Sequence, residues 1–134
     1  MGGAFDLAAL CAIRICSGAA AFGHPEIKFG APPLFTPLRW IVGDGHARYL
    51  CLTGATIDAK EAHRIGLVNE IVTNQSVLER AKILAAQIGQ APDPTLFTLK
   101  QYLMGNHGKG FEDCFAEEHD APFKSLLQKG RFPT

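Results

Sequence analysis

Two carboxylates and a pair of glycines are the residues of this chain best placed to do chemistry. Gly2-Gly3 stands ahead of Ala4-Phe5-Asp6-Leu7-Ala8, an apolar run that contains Asp6. Further along, Phe22-Gly23-His24-Pro25-Glu26 ends in a carboxylate beside a proline. Glycines at a helix start let the backbone come close to a ligand, and the free N–H groups there can hold a developing negative charge. Asp6 and Glu26 could then move protons on that same ligand. Each residue also has a plainer reading. Asp6 can simply cap a first helical turn. Glu26 can be a solvated glutamate at a strand end, and Gly2-Gly3 a loose terminus. A lone histidine is more often structural than catalytic, so His24 stands as a pocket-lining candidate.

The elements that must position these groups follow from periodicity. Residues 4–12 carry Phe5, Leu7, Ala8, Ala9, Leu10 and Cys11 and read as a short buried helix. Ile13-Arg14-Ile15-Cys16 alternates and reads as a strand closed by Ser17-Gly18. A second short strand begins at Ala20-Phe22, and Ile27-Lys28-Phe29 can continue it. Residues 30–37, with Pro32, Pro33 and Pro37, read as a loop. Leu38–Val42 predicts one or two helical turns. Gly43-Asp44-Gly45 breaks them, with Asp44 as N-cap of a helix over His46–Leu52 that ends at Thr53-Gly54. Asp58, with Glu61 three residues on, opens a helix in a capping-box-like pattern, and Gly66 closes it. Leu67–Val72 reads as a strand. From Asn74 the chain turns helical: Val77, Ala81, Leu84, Ala85 and Ile88 recur at helical spacing. A helix with Leu96, Leu99 and Leu103 on one side follows Pro92, and a last one spans Phe111 to Gln128.

Composition narrows the classes. A chain of 134 residues forms one domain at most, long enough to bury a real core. An apolar fraction of 47% with zero net charge is that of an ordinary globular protein without a nucleic-acid footprint. No apolar run reaches the length of a membrane span, and the N-terminus has no signal-peptide pattern. Cys11, Cys16, Cys51 and Cys114 lack metal-ligand spacing and read as reduced core residues of a cytosolic protein, with no metal site.

Taken in order, these segments resemble the C-terminal half of the crotonase family, the enoyl-CoA hydratase/isomerase enzymes. Gly2-Gly3 through Ile13-Arg14-Ile15 resembles the family's glycine pair, helix and following strand. Phe22-Gly23-His24-Pro25-Glu26 resembles its second catalytic segment. Leu52-Thr53-Gly54 and Ala62-His63-Arg64-Ile65-Gly66-Leu67-Val68-Asn69 resemble the tail of the same pattern. Any one motif is weak, and their order is what makes the match specific.

The resemblance implies an α/β chain. Residues 1–72 would be a partial crotonase-like ββα spiral, and 73–134 an α-helical C-terminal trimerisation region. It implies an acyl-CoA substrate, with coenzyme A entering only as part of that substrate and no separate cofactor. It also implies a cytoplasmic homotrimer or hexamer that binds neither nucleic acid nor membrane. By the same resemblance the Gly3 N–H is an oxyanion donor and Glu26 the general acid/base, its pKa brought near the working pH by burial among Phe22, Pro25 and Phe29. Asp6 falls where hydratases carry a water-activating glutamate. Gly2, His24, Pro25 and Phe35 line the substrate pocket, and Lys129 reaches the coenzyme's phosphates. Three positions depart from the pattern: Asp6 for glutamate, Ala4 for a third glycine, and a short proline-rich loop from Gly30 to Pro37. Family enzymes are longer than this chain, with an N-terminal half that supplies a second oxyanion N–H donor.

Overall fold

The structure, a computed structural model, describes residues 1–105, 108–110, 112, 113 and 116. The expected helix over 111–128 falls outside these residues save for the last three, and so do Cys114 and Lys129. The chain divides into two compact units, Met1–Ala86 and Gln87–Thr134.

The first unit opens with helix α1 (Gly3–Ala9). Only one side of it is covered: Phe5 is buried, while Leu7 and Leu10 are 69% and 67% exposed. The expected buried helix over 4–12 is thus shorter and single-faced. Cys11 leaves the core with it, exposed and donating its thiol to the Leu7 carbonyl. Cys16 and Cys51 are buried as expected.

Strands β1 (Ile15–Ser17) and β2 (Ala21–Phe22) follow. Residues 25–29 do not extend β2. They form a 3₁₀ turn, Pro25–Phe29. Proline in a first turn has the φ a helical start requires and no N–H to lose, and Gly30 closes the turn in the left-handed region at φ 87°. Helix α2 (Phe35–Thr53) starts inside the expected loop. Pro37 is tolerated there because first-turn N–H groups have no helical partner. Gly43, at φ 77° and ψ 166°, breaks α2 where the sequence places the break. Asp44 does not cap the second part; its carboxylate pairs with Arg39 across the kink at 3.2 Å and with Arg48 one turn on.

Strand β3 (Ile57–Asp58) leads into helix α3 (Ala59–Arg64). Asp58 Oδ1 accepts the Glu61 N–H at 2.8 Å. The return half of the capping box is missing, because Glu61 binds Arg64 through both oxygens at 2.6 Å. After α3, the Leu67 N–H donates to the Ala62 carbonyl (2.8 Å) and the Gly66 N–H to that of His63 (3.1 Å). This double closure stops the helix and buries Leu67 at C″. Residues 66–68 are occupied by it, and strand β4 is only Glu70–Val72.

Two short sheets result. β1 runs parallel to β4 with Cys16 opposite Ile71, and β2 runs antiparallel to β3 with Phe22 opposite Ile57. The β1–β4 register is pinned by Arg14. Its N–H donates to Asn69 Oδ1 (2.8 Å), its carbonyl accepts the Asn69 N–H (2.8 Å), and its Nε donates to the Leu67 carbonyl (2.5 Å). The core lies between α2 and α3, where Leu38, Ala47, Leu50, Ala62 and Leu67 are almost fully buried. A 3₁₀ turn (Asn74–Ser76) then opens α4 (Val77–Ile88). Arg80 on α4 binds Glu70 through two hydrogen bonds, 2.6 and 2.7 Å. In the second unit, α5 (Asp93–Gly105) carries Leu96 half-buried and Leu99 and Leu103 exposed.

Candidate active site

The start of α1 and the segment before the 3₁₀ turn are joined by a backbone hydrogen bond, from the Gly2 N–H to the Gly23 carbonyl (3.1 Å). Two glycines make this approach possible. Gly2 sits at φ 54°, in the region that favours glycine. At Gly23 a Cβ would stand 2.6 Å from the Ala55 carbonyl oxygen, against rigid backbone. The bare backbone of Gly23 thus lets the loop after α2 press on the chain just before His24.

That junction places Asp6, in the first turn of α1, and Glu26, in the first turn of the 3₁₀ segment, on opposite sides of the His24 imidazole. Nδ1 lies 2.8 Å from Glu26 Oε1, and Nε2 lies 3.7 Å from Asp6 Oδ1. His24 is buried, while the side chains of Asp6 and Glu26 keep 20% and 24% of their surface. Phe5 stacks on the imidazole with ring centroids 4.7 Å apart. Glu26 Oε2 is buried without a hydrogen-bond partner. It faces Gly2, where a Cβ would come within 3.6 Å of it. At the same corner the Gly3 N–H, first in α1, has no acceptor among the described residues.

The electrostatics differ from the expectation. Glu26 is held below the ordinary carboxylate range, first by its own backbone N–H and then by its hydrogen bond to His24; these outweigh burial. Phe29, expected to help bury it, is 85% exposed. At neutral pH Glu26 is therefore a base, not a carboxyl poised to give up a proton. Among the described residues, Asp6, His24 and Glu26 are the one group whose metal-ligand-type atoms converge, within 4.8 Å of one another. Within the trio, His24 and Glu26 are a directly hydrogen-bonded pair at 2.8 Å, and Asp6 stands 3.7 Å from the other ring nitrogen.

The sequence reasoning missed Cys51. It borders an open groove of about 390 Å³ together with Ile27, Pro33, Phe35, Arg48 and Leu52. Burial, and then the charges of Asp6 and Glu26, push its thiol pKa up, which puts the groove within electrostatic reach of the trio. Its signal was its position beside Leu52 in the matched Leu-Thr-Gly segment. Of the expected site residues, Gly2, Gly3, Asp6, His24, Pro25 and Glu26 meet at one corner. Phe35 lies half-buried in the groove, and Lys129 is outside the described residues.

Glu26, Glu61 and Glu70 all have pKa values lowered by hydrogen bonds to the ionised form. Folding therefore favours the deprotonated carboxylates. Their contribution is complete above the ordinary value of 4.5 and is lost as the pH falls through the lower folded values. The urea midpoint is expected to be flat between pH 6 and 7 and to drop below about pH 4.5. Glu70→Gln should lower the neutral midpoint and flatten that drop. An unchanged acid slope would count against the Arg80 pairing.

The family model described as enoyl-CoA hydratase/isomerase matches residues 1–128. A short-chain-enoyl-CoA hydratase of Clostridium acetobutylicum is 42% identical over 132 residues, covering 88% of this chain and 51% of that protein. The crystal structure of enoyl-CoA hydratase from Thermoplasma volcanium superposes with a TM-score of 0.82 at 30% identity, over 96% of this chain and 51% of that one. A Thermobifida fusca protein solved in complex with acetoacetyl-CoA gives 0.84 at 30% identity, over 95% and 51%. The chain spans 45, 35 and 51% of the length of three curated relatives it matches. Among the described residues, no helix is long and apolar enough to cross a membrane.

Proposed function

The chain belongs to the enoyl-CoA hydratase/isomerase family, and from that premise we propose that residues 1–72 carry part of a site acting on an acyl-CoA thioester. The Gly3 N–H donates to the thioester oxygen as charge develops on it, an interaction worth about 3 kcal/mol where the donor is well placed. Glu26 exchanges a proton with the carbon next to the carbonyl. Asp6 orients water, and the groove beside Phe35 takes the acyl chain. The overall reaction is hydration of a 2-enoyl-CoA or a shift of its double bond. The second needs one carboxylate only, which suits an Asp6 one methylene shorter than glutamate. Residues 73–134 form the helical part of a cytoplasmic trimer or hexamer.

The observation that carries this reading is the buried, unpartnered Oε2 of Glu26 beside Gly2 and next to the free Gly3 N–H. A carboxylate oxygen kept dry and unpaired is costly unless a ligand uses it. Support comes from the Thermobifida fusca protein, which matches this chain over half its length and was solved with acetoacetyl-CoA.

A second reading, a non-catalytic, crotonase-like assembly module, is favoured by the donor set. Oxyanion stabilisation normally uses paired donors, and Gly3 has no evident second among the described residues. Titrating the isotope-labelled chain with acetoacetyl-CoA tests the site. The amides of Gly2–Asp6 and the Glu26 carboxyl are expected to shift while crotonyl-CoA is turned over little or not at all. Shifts confined to other regions, or none at millimolar ligand, would refute the site. Robust turnover by the isolated chain would refute the need for a second donor.

A further inference from the structure

His24 enters the chemistry above only as a lining residue, yet among the described residues it is the one polar or charged side chain that is fully buried. Burying an imidazole is costly unless its nitrogens are satisfied. Here each nitrogen faces a carboxylate, and the Phe5 ring lies against the imidazole at an interplanar angle of 29°. The ring plane is thereby held while its Nδ1 edge is hydrogen-bonded. An ionised Glu26 can only accept a hydrogen bond, so the 2.8 Å contact requires the proton on Nδ1.

We propose that His24 is a positioning residue for Glu26: its Nδ1–H holds Oε1, which leaves Oε2 as the oxygen that exchanges a proton. The burial of Oε2 beside Gly2 fits this division of labour. The groups acting on the trio from other elements are the Cys51 thiol on α2, which feels both carboxylates, and the Met1 amino group, which acts on Glu26. The catalytic consequence rests on the function proposed above; the positioning itself does not.

Two asparagine-type replacements separate the nitrogens. The Asn amide falls near the position of Nδ1, and the Gln amide near that of Nε2. In the full 134-residue chain, the wild-type imidazole is expected to carry its proton on Nδ1 by ¹⁵N NMR at neutral pH. A tautomer protonated only at Nε2 would overturn the proposal without any variant. The Glu26 carboxyl titration is expected to keep its midpoint in His24→Asn and to move up in His24→Gln. Equal midpoints in the two variants would also overturn it, since a side chain that only fills space makes no such distinction. In any assembly that turns over crotonyl-CoA, His24→Gln should lower kcat roughly tenfold or more at unchanged KM, with His24→Asn close to wild type. Absence of turnover in every form defeats the functional reading and leaves the NMR result to decide the role of His24.

Discussion

Glu26→Gln is expected to reduce acyl-CoA turnover by a hundred- to ten-thousandfold, roughly the contribution of a positioned acid/base, in an assembly that supplies the second N–H donor. The substitution is nearly isosteric. The Gln carbonyl can still accept from His24 Nδ1, so the local packing around Phe5 and Phe22 should survive. What is lost is the base at the Oε2 position, which the structure shows buried and unpartnered. The effect should fall on kcat, because proton transfer to carbon belongs to the transition state and not to ground-state binding. Asp6→Asn discriminates the reaction. If the double bond merely shifts, one carboxylate suffices and Asp6→Asn costs much less than Glu26→Gln. Equal losses would assign hydration, because water then needs its own base. A Glu26→Gln variant with near wild-type turnover would remove Glu26 from the chemistry.

Phe5→Ala should be the most damaging truncation for the fold of the first unit, at about 3–5 kcal/mol for a buried phenylalanine. Phe5 is 2% exposed and is the only buried residue of α1. Its ring stacks on His24 and meets the edge of Phe22 at 5.7 Å. A seven-residue helix does not persist by its own propensity, so α1 depends on its packing against α2, where Phe5 is its one fully buried side chain, and on the Gly2–Gly23 hydrogen bond. Urea denaturation measures the global loss, and amide exchange across Gly3–Ala9 shows whether α1 detaches first. A loss under about 1 kcal/mol with α1 still protected would mean that Phe5 does not hold the helix. Phe5→Leu, which keeps most of the apolar volume, should cost less than half as much while freeing the His24 ring plane.

Much of the local structure was legible because its causes are local. Gly66 after Ile65, Gly43 within α2 and Gly54 just after it punctuate the chain through backbone conformation, Asp58 before Ala59 does so through its side-chain cap, and each acts where the sequence places it. Gly2-Gly3, Asp6 and Glu26 were legible as a chemical set from residue type and order. Burial was not legible. An apolar stretch such as Phe5 to Cys11 says that a face wants cover without saying which side receives it. Within α1 only Phe5 is fully buried, because its side of the helix meets His24 and Phe22; Ala8 and Ala9 are half-buried, and Leu7 and Leu10 are exposed. Nor was the 3₁₀ turn at Pro25 legible, since a proline followed by alternating residues is compatible with strand or turn. The choice falls to the turn because Gly54 and Gly23 let α2 and its following loop pack directly on that segment.

What the sequence determined by itself is the list of parts: the family, the order of elements, and the residues able to move protons or donate to an oxyanion. What only the tertiary structure decided is the state those parts are in. It set Glu26 as an ionised base rather than a carboxyl with a raised pKa, and it set His24 between two carboxylates rather than along a pocket wall. The physical reason is that a pKa and a hydrogen bond depend on the conformation in which groups are held within about 3 Å of one another; Glu26 answers to its own backbone N–H and to His24 two residues away, a geometry fixed by how the 3₁₀ turn packs. Asp6 and Glu26 are brought to one ring by packing across α1, α2 and the 3₁₀ turn, and no spacing along the chain encodes that distance.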